Sequence, residues 1–183
     1  MSLQPFNKNF YNPPPEVLKR SLYEVEEYRN KHEITVSGLE VPNPIQCFEE
    51  GNFPDYVMQN IQNMGYKEPT PIQAQGWPIA MSGKNLVGIA QTGSGKTLVY
   101  ILPAIVHINN QPPIRRGDGP IALVLARTRE LAQQIQQVAS DFGNTAYVRN
   151  TCVFGGQAVR GDARAPPRPA QIVKETWKNK YKT

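Results

Sequence analysis

Cysteine is scarce in this chain of 183 residues. Cys47 and Cys152 lie far apart and form no CxxC pair, which argues against a disulfide framework and against a zinc site, and leaves two buried free thiols as the expectation. No apolar run approaches the ~18 residues that cross a bilayer. The opening MSLQPFNKNFYNPPP has neither the apolar core of a signal peptide nor an Arg-rich amphipathic pattern, so an intracellular location is expected. Excess charge is also missing from most of the chain. The net charge of +5 is matched by residues 157–183 alone, where seven basic side chains face two acidic ones. Residues 1–156 are balanced, so the overall charge describes the tail and carries no nucleic-acid signal for the body of the chain.

What is present falls into two textures. Residues 1–85 read as a polar, Pro-rich arm followed by helical segments. One helix opens at Pro15, where a missing N–H costs nothing, with Leu18, Leu22 and Val25 on one face. A second spans FPDYVMQNIQNMGY, with Val57, Ile61 and Met64 at helical spacing and Gly65 as a stop. TPIQAQGWPIAMSGK is helical with a break expected at Gly76–Pro78. From Leu86 the rhythm becomes strand (LVGIA), helix (KTLVYILPAIVHI, bent at Pro103), strand (IALVLA), helix (RELAQQIQQVAS), strand (YVRNTCVF). Such alternation predicts an α/β fold with a parallel sheet and helices on both faces. Residues 157–183 show little periodicity and are expected to be disordered or weakly helical near their end. The RGD at 160–162 reads as chance.

The stretch AQTGSGKT, residues 90–97, carries the clearest chemistry. Gly93 and Gly95 allow a tight turn that points successive N–H groups at a phosphate, and the helix starting at Lys96 places its positive end on the same anion. Lys96 reaches β- and γ-phosphates, and the Thr97 hydroxyl is a candidate Mg²⁺ ligand. Ala90 stands at the first glycine position of the G-x-x-x-x-G-K-[ST] pattern. A glycine turn at a helix start that holds no nucleotide is the plainer alternative. The cradle alone does not name an activity.

Other residues narrow the class. GYKEPTPIQ (65–73), with the isolated Phe48 before it, resembles the Q motif of DEAD-box RNA helicases. A glutamine amide offers a donor and an acceptor together, matching the N7 and N6 edge of adenine. The resemblance implies that Gln73 reads the base, that Phe48 stacks near it, and that the loop from Tyr66 to Thr70 shapes the pocket. Ala90, Gln91, Thr92, Gly93, Ser94, Gly95, Lys96 and Thr97 then hold the phosphates. ARTRELAQQ (126–134) looks like the family's P-T-R-E-L-A motif, with Arg127 in place of proline. By resemblance, Thr128 and Arg129 meet an RNA phosphate, a contact that holds a strand without reading its sequence. FGG (154–156) resembles the paired-glycine element, where Gly155 and Gly156 let a strand approach closely. The likeness covers residues 6–156 and ends at Gly156. It is nearest to the subgroup acting in transcription, splicing and ribosome assembly, which implies a nuclear location with the cytoplasm as a second one.

Expected, then, is an incomplete RecA-like (P-loop NTPase) domain with a parallel sheet. It is organised as an N-terminal extension (1–45), a Q-motif region (46–74), a partial ATP-binding domain (75–156) and a basic tail (157–183). ATP and Mg²⁺ are the implied cofactors, RNA the implied partner, with full-length relatives or ribonucleoprotein complexes as further partners. No D-E-A-D and no T-P-G-R occurs in the chain, whereas hydrolysis in this fold needs carboxylates to hold Mg²⁺ and to place the attacking water. The chain is therefore expected to be a truncated helicase fragment, inactive alone, that leaves apolar sheet surface uncovered. Three readings stay open: a helicase whose missing half comes from elsewhere, a non-catalytic ATP- or RNA-binding module that docks onto relatives, and a poorly folded product.

Overall fold

The structure is a computed structural model that describes residues 7–113 and 119–154, and the backbone of a strand at 172–176. The chain forms two compact units, Met1–His107 and Ile108–Thr183. The first cuts across the expected division at residue 45, because the described part of the extension is packed into the same unit as the Q-motif region.

In the first unit, helix α1 (Pro15–Lys19) starts at its proline as expected, but the chain leaves the helical path at Arg20 and a new helix, α2 (Leu22–Lys31), begins. Ser21 causes the restart. Its hydroxyl accepts from Glu24 N–H at 3.3 Å while its own N–H donates to the Glu24 carboxylate at 2.7 Å, a reciprocal cap that competes with a continuous helix. The interruption resets the phase of the apolar face. Val17 and Val25 are buried, whereas Leu18 and Leu22, expected inside, are 67% and 83% exposed.

A short 3-10 turn, Phe48–Gly51, precedes α3 (Asp55–Asn63), which buries Val57 and Ile61 and stops before Gly65 at φ 71°. Helix α4 (Pro71–Met81) then runs unbroken through Pro78, against the expected break. Pro78 has no N–H for the Ala74 carbonyl four residues back. That carbonyl accepts instead from Ile45 N–H at 3.0 Å, so the vacancy becomes a docking point for the preceding loop. At the far end of α4 the Met81 carbonyl accepts from Phe10 N–H at 2.7 Å and Tyr11 N–H at 3.1 Å, which satisfies a helix-terminal acceptor and fastens the N-terminal arm.

Polar side chains complete the attachment. Buried Arg29 donates from Nε to Gln75 Oε1 at 3.0 Å, and Gln75 Nε2 donates to the Pro42 carbonyl at 2.8 Å. Trp77, 1% exposed, donates from Nε1 to the Leu98 carbonyl at 3.0 Å on helix α5 (Lys96–Asn109). Gly76 lets α5 approach: a Cβ there would lie 2.6 Å from Val99 Cγ1. Before α5, LVGIA forms no strand. Among the described residues Asn85–Ile89 make no backbone hydrogen bond, and Val87 and Ile89 are exposed. Strand-forming side chains without a partner ladder remain extended coil.

The second unit is a parallel three-stranded sheet in the order β1 (Ala122–Ala126), β3 (Ile172–Thr176), β2 (Asn150–Phe154). Ala122 and Asn150 both register with Ile172, and Ala126 and Phe154 with Thr176. The central strand therefore comes from the segment expected to lack regular structure. Ile172, Val173 and Thr176 are β-branched and suit a pleated surface, a short signal swamped by basic and proline-rich neighbours. Helix α6 (Arg129–Thr145) lies between β1 and β2 in sequence and buries Ala132, Ile135, Ala139 and Phe142. Leu123 and Leu125 on β1 remain exposed, as expected for an incomplete sheet. The thiols are not buried as expected: Cys47 is exposed and Cys152 half-buried.

Arg20 and Glu50 form a largely buried ion pair, with side chains 13% exposed on each side. Burial pushes the Glu50 carboxyl up, but hydrogen bonds from Arg20 and from Gln46 N–H, with the Arg20 charge, hold it below its ordinary value of 4.5. A carboxylate whose folded pKa is depressed stabilises fully above the unfolded value and loses that contribution as pH falls through the folded one. Unfolding measured against pH should therefore show stability declining below about 4.5, with a shallower decline in Glu50→Gln. An identical slope in the variant would contradict the pairing.

Candidate nucleotide site

The glycine-rich loop sits between the exposed segment 86–89 and the first turn of α5, and the start of α4 holds it from behind. Gly93 and Gly95 both adopt φ 81°, a region open to glycine and strained for other residues. Thr70 Oγ1 donates to the Ser94 carbonyl at 2.8 Å, and Gln73 Nε2 donates to the Gly95 carbonyl at 3.3 Å. Gln73 Oε1 meanwhile accepts Thr70 N–H at 3.0 Å. Two side chains one helical turn apart thus pin two consecutive loop carbonyls. The T-x-x-Q spacing that makes this possible is a capping-box signature, so Thr70 was legible as Gln73's partner although the sequence reading gave it only a share in the pocket wall.

With its carbonyls turned toward α4, the loop leaves its donors unused. Among the described residues the N–H groups of Gly93, Gly95, Lys96 and Thr97 have no acceptor, and the Ser94 hydroxyl is buried without a partner. Lys96 Nζ folds back to donate to the carbonyls of Ala90 and Gln91. Ionic bonds to phosphate are stronger than bonds to neutral carbonyls, so an anion seated on the free N–H groups would draw Lys96 away from its own loop. These donors fit a polyphosphate. Thr97 is half-buried, and burial pushes the nearby Tyr100 phenol up, with the Thr97 side chain pulling it partly back. No group of three or more His, Cys, Asp or Glu that could hold a metal occurs among the described residues. A divalent cation here would rely on Thr97 and on the phosphates themselves.

The base-side candidates differ in access. Phe48 is 6% exposed, with its ring centroid 6.0 Å from that of Trp77, so it presents little stacking surface and acts mainly as packing beneath any pocket. Tyr66 is about half exposed and follows Gly65. Gln73 is buried, with both ends of its amide engaged, and the second N–H and second lone pair of that amide have no partner among the described residues.

In the second unit, Thr128 caps α6 by accepting Leu131 N–H at 3.2 Å, and the exposed Arg129 guanidinium lies 4.0 Å from the Phe154 ring centroid. Cation–π contact of this kind holds the guanidinium in place. Arg127 is exposed beside it. Gly155 and Gly156 lie outside the described residues.

Comparison with known proteins gives a consistent picture. The DEAD/DEAH box helicase family model matches residues 70–178. This includes the β3 strand and runs past Gly156, beyond the stretch over which the motifs carry the likeness. The chain is 68% identical over 172 residues to ATP-dependent RNA helicase p62 of Drosophila melanogaster, covering 94% of this chain and 24% of that protein. It is 54% identical to DEAD-box ATP-dependent RNA helicase 20 of Arabidopsis thaliana, with 93% and 34% covered. It therefore spans about a quarter to a third of these relatives' length. Among solved structures, the RNA helicase Prp28 of Chaetomium thermophilum bound to ADP superposes with a TM-score of 0.78 at 35% identity, covering 86% of this chain and 39% of that one. The yeast DEAD-box splicing factor Prp28 gives 0.76 at 28% identity, with 87% and 39% covered.

Gly93 and Gly95 share one backbone conformation but differ in surroundings. A Cβ on Gly93 meets no atom within 4 Å, whereas one on Gly95 would lie 2.3 Å from Gln73 Nε2. Gly93→Ala should cost only the conformational strain, about 1–2 kcal/mol. Gly95→Ala should cost measurably more in denaturant unfolding, because the Gln73 amide must give up its loop carbonyl. Equal costs would contradict the bracket.

Proposed function

Because the chain belongs to the DEAD/DEAH box helicase family, we propose that its first unit is the ATP-holding part of an ATP-dependent RNA helicase. The observation that carries this reading is the glycine loop pinned by Thr70 and Gln73 through its carbonyls, with its N–H groups and the Ser94 hydroxyl unpaired. Gln73 reads adenine, with Tyr66 beside the base and Phe48 packed beneath the pocket. Ala90 to Thr97 surround the phosphates, Lys96 neutralises them, and Thr97 supplies a hydroxyl to Mg²⁺. ADP in the related Prp28 structure supports an adenine nucleotide.

The second unit contributes to RNA. Thr128 and Arg129 contact its backbone without sequence preference, a role that the motif resemblance extends to Gly155 and Gly156, and the exposed Arg127 adds charge. A nuclear location, extending to the cytoplasm, is carried over from the motif resemblance to helicases of transcription, splicing and ribosome assembly. Residues 1–183 contain no D-E-A-D, so this chain by itself grips ATP and does not turn it over. The exposed Leu123, Leu125, Val87 and Ile89 favour a second reading, in which the chain works only when docked onto a larger partner that covers them.

Titration of the purified chain with ATP and Mg²⁺ tests the first reading. Binding should be saturable and weaken by about ten-fold or more in Lys96→Ala, as expected for loss of a charge-assisted bond. Gln73→Ala should narrow the preference for ATP over GTP, and RNA should stimulate no hydrolysis. Unchanged binding in Lys96→Ala would remove the phosphate assignment. RNA-stimulated turnover by the wild type would overturn the non-catalytic reading.

A further inference from the structure

Arg20 stands between α1 and α2, outside every motif of the sequence reading, yet its guanidinium reaches 30 residues along the chain. All of its hydrogen bonds fall on one short segment. Nη1 donates to the Pro44 carbonyl at 3.1 Å and to Glu50 Oε2 at 3.0 Å, and Nη2 donates to Glu50 Oε1. Glu50 Oε2 also accepts Gln46 N–H at 2.7 Å. The guanidinium and carboxylate thus close residues 44–50 into a staple, and Phe48 lies inside it. The pairing is bidentate and largely buried, a geometry that fixes orientation as well as distance.

The stapled turn leads to the nucleotide loop by direct contact. The Phe48 ring packs on Trp77, and Trp77 sits one helical turn after Gln73 on the same face of α4. Gln73 in turn holds the Gly95 carbonyl, and Trp77 Nε1 holds the Leu98 carbonyl in the first turn of α5. We infer that Arg20 is a positioning residue for the base half of the nucleotide site, acting through Glu50 on the turn that carries Phe48 and so on the alignment of Gln73. This rests on the reading of Phe48 and Gln73 as the base pocket. The phosphate half shares the Gln73 bond but has holds of its own in the Thr70 bond to the Ser94 carbonyl, in Lys96 and in the loop N–H groups, so disturbing the staple alters base selectivity more than the grip on phosphates.

The experiment compares ATP, GTP and inorganic tripolyphosphate, each with Mg²⁺, on the full chain as wild type, Arg20→Met, Arg20→Lys and Glu50→Gln. In Arg20→Met the preference for ATP over GTP should fall by about five-fold, the lower end of ordinary coupling between sites, while tripolyphosphate affinity stays within about two-fold. Arg20→Lys should recover part of the preference, since it keeps the charge and loses the fork. Glu50→Gln, close in size to the native side chain, should reproduce Arg20→Met and carries the test if that variant does not fold. Equal weakening of ATP and tripolyphosphate would reduce Arg20 to support of the fold and overturn the inference, as would unchanged selectivity in both Arg20→Met and Glu50→Gln. A wild type that binds ATP no better than tripolyphosphate would overturn the adenine pocket itself, and the role of Arg20 with it.

Discussion

The Ala74 carbonyl, left without a helical donor by Pro78, is the point around which the first unit is organised. A proline inside a helix removes one bond and would ordinarily cost about 3 kcal/mol; here the freed acceptor takes Ile45 N–H and brings residues 42–51 against α4. The same helix is held on every side. Arg29 reaches Gln75 from α2, the arm at Phe10 and Tyr11 closes on Met81, and Trp77 anchors the first turn of α5. Its opening residues, Thr70 and Gln73, hold the glycine loop. A helix so fully committed has few ways to shift, and the loop inherits that rigidity.

The same arrangement bears on the role proposed for Gln73. Gln73 is bonded to its own helix start and to the glycine loop before any ligand is considered. A base edge meeting its remaining donor and acceptor would therefore act on an amide already joined to the phosphate half. The N-terminal extension belongs to the same system, because Arg20 and Arg29 both end on groups that position α4 or the turn beside it.

Local chemistry was legible in the sequence where a residue acts on near neighbours. The glycine turn, the start of α5 at Lys96, the start of α6 at Arg129, β1 and β2 all follow from spacing and residue type. Features set by distant partners were not legible. The continuity of α4 through Pro78 depends on Ile45, the burial of Val17 in place of Leu18 depends on the Ser21 cap, and LVGIA fails as a strand because no ladder receives it. The β3 strand was hidden differently: three β-branched residues among five sit within a basic, proline-bearing segment whose composition pointed elsewhere. For the site, Lys96 and Gln73 stood out from their motifs, whereas Arg20, Glu50 and Trp77 carry no motif and emerge only from three-dimensional contact.

The two units also differ in how completely they are covered. The first buries Trp77, Ile101, Leu102 and Ile105 almost fully, whereas the second keeps Leu123 and Leu125 at the surface. Stability within one chain is not uniform, and opening follows local packing. Native-state hydrogen exchange resolves this residue by residue. If α4 is the fixed element of the first unit, its amides from Gln75 to Trp77 and from Ile79 to Met81 exchange more slowly than those of α2 and α3, and only through opening of the whole unit. Exchange of these amides as fast as those of α2, by local opening, would contradict the organisation described.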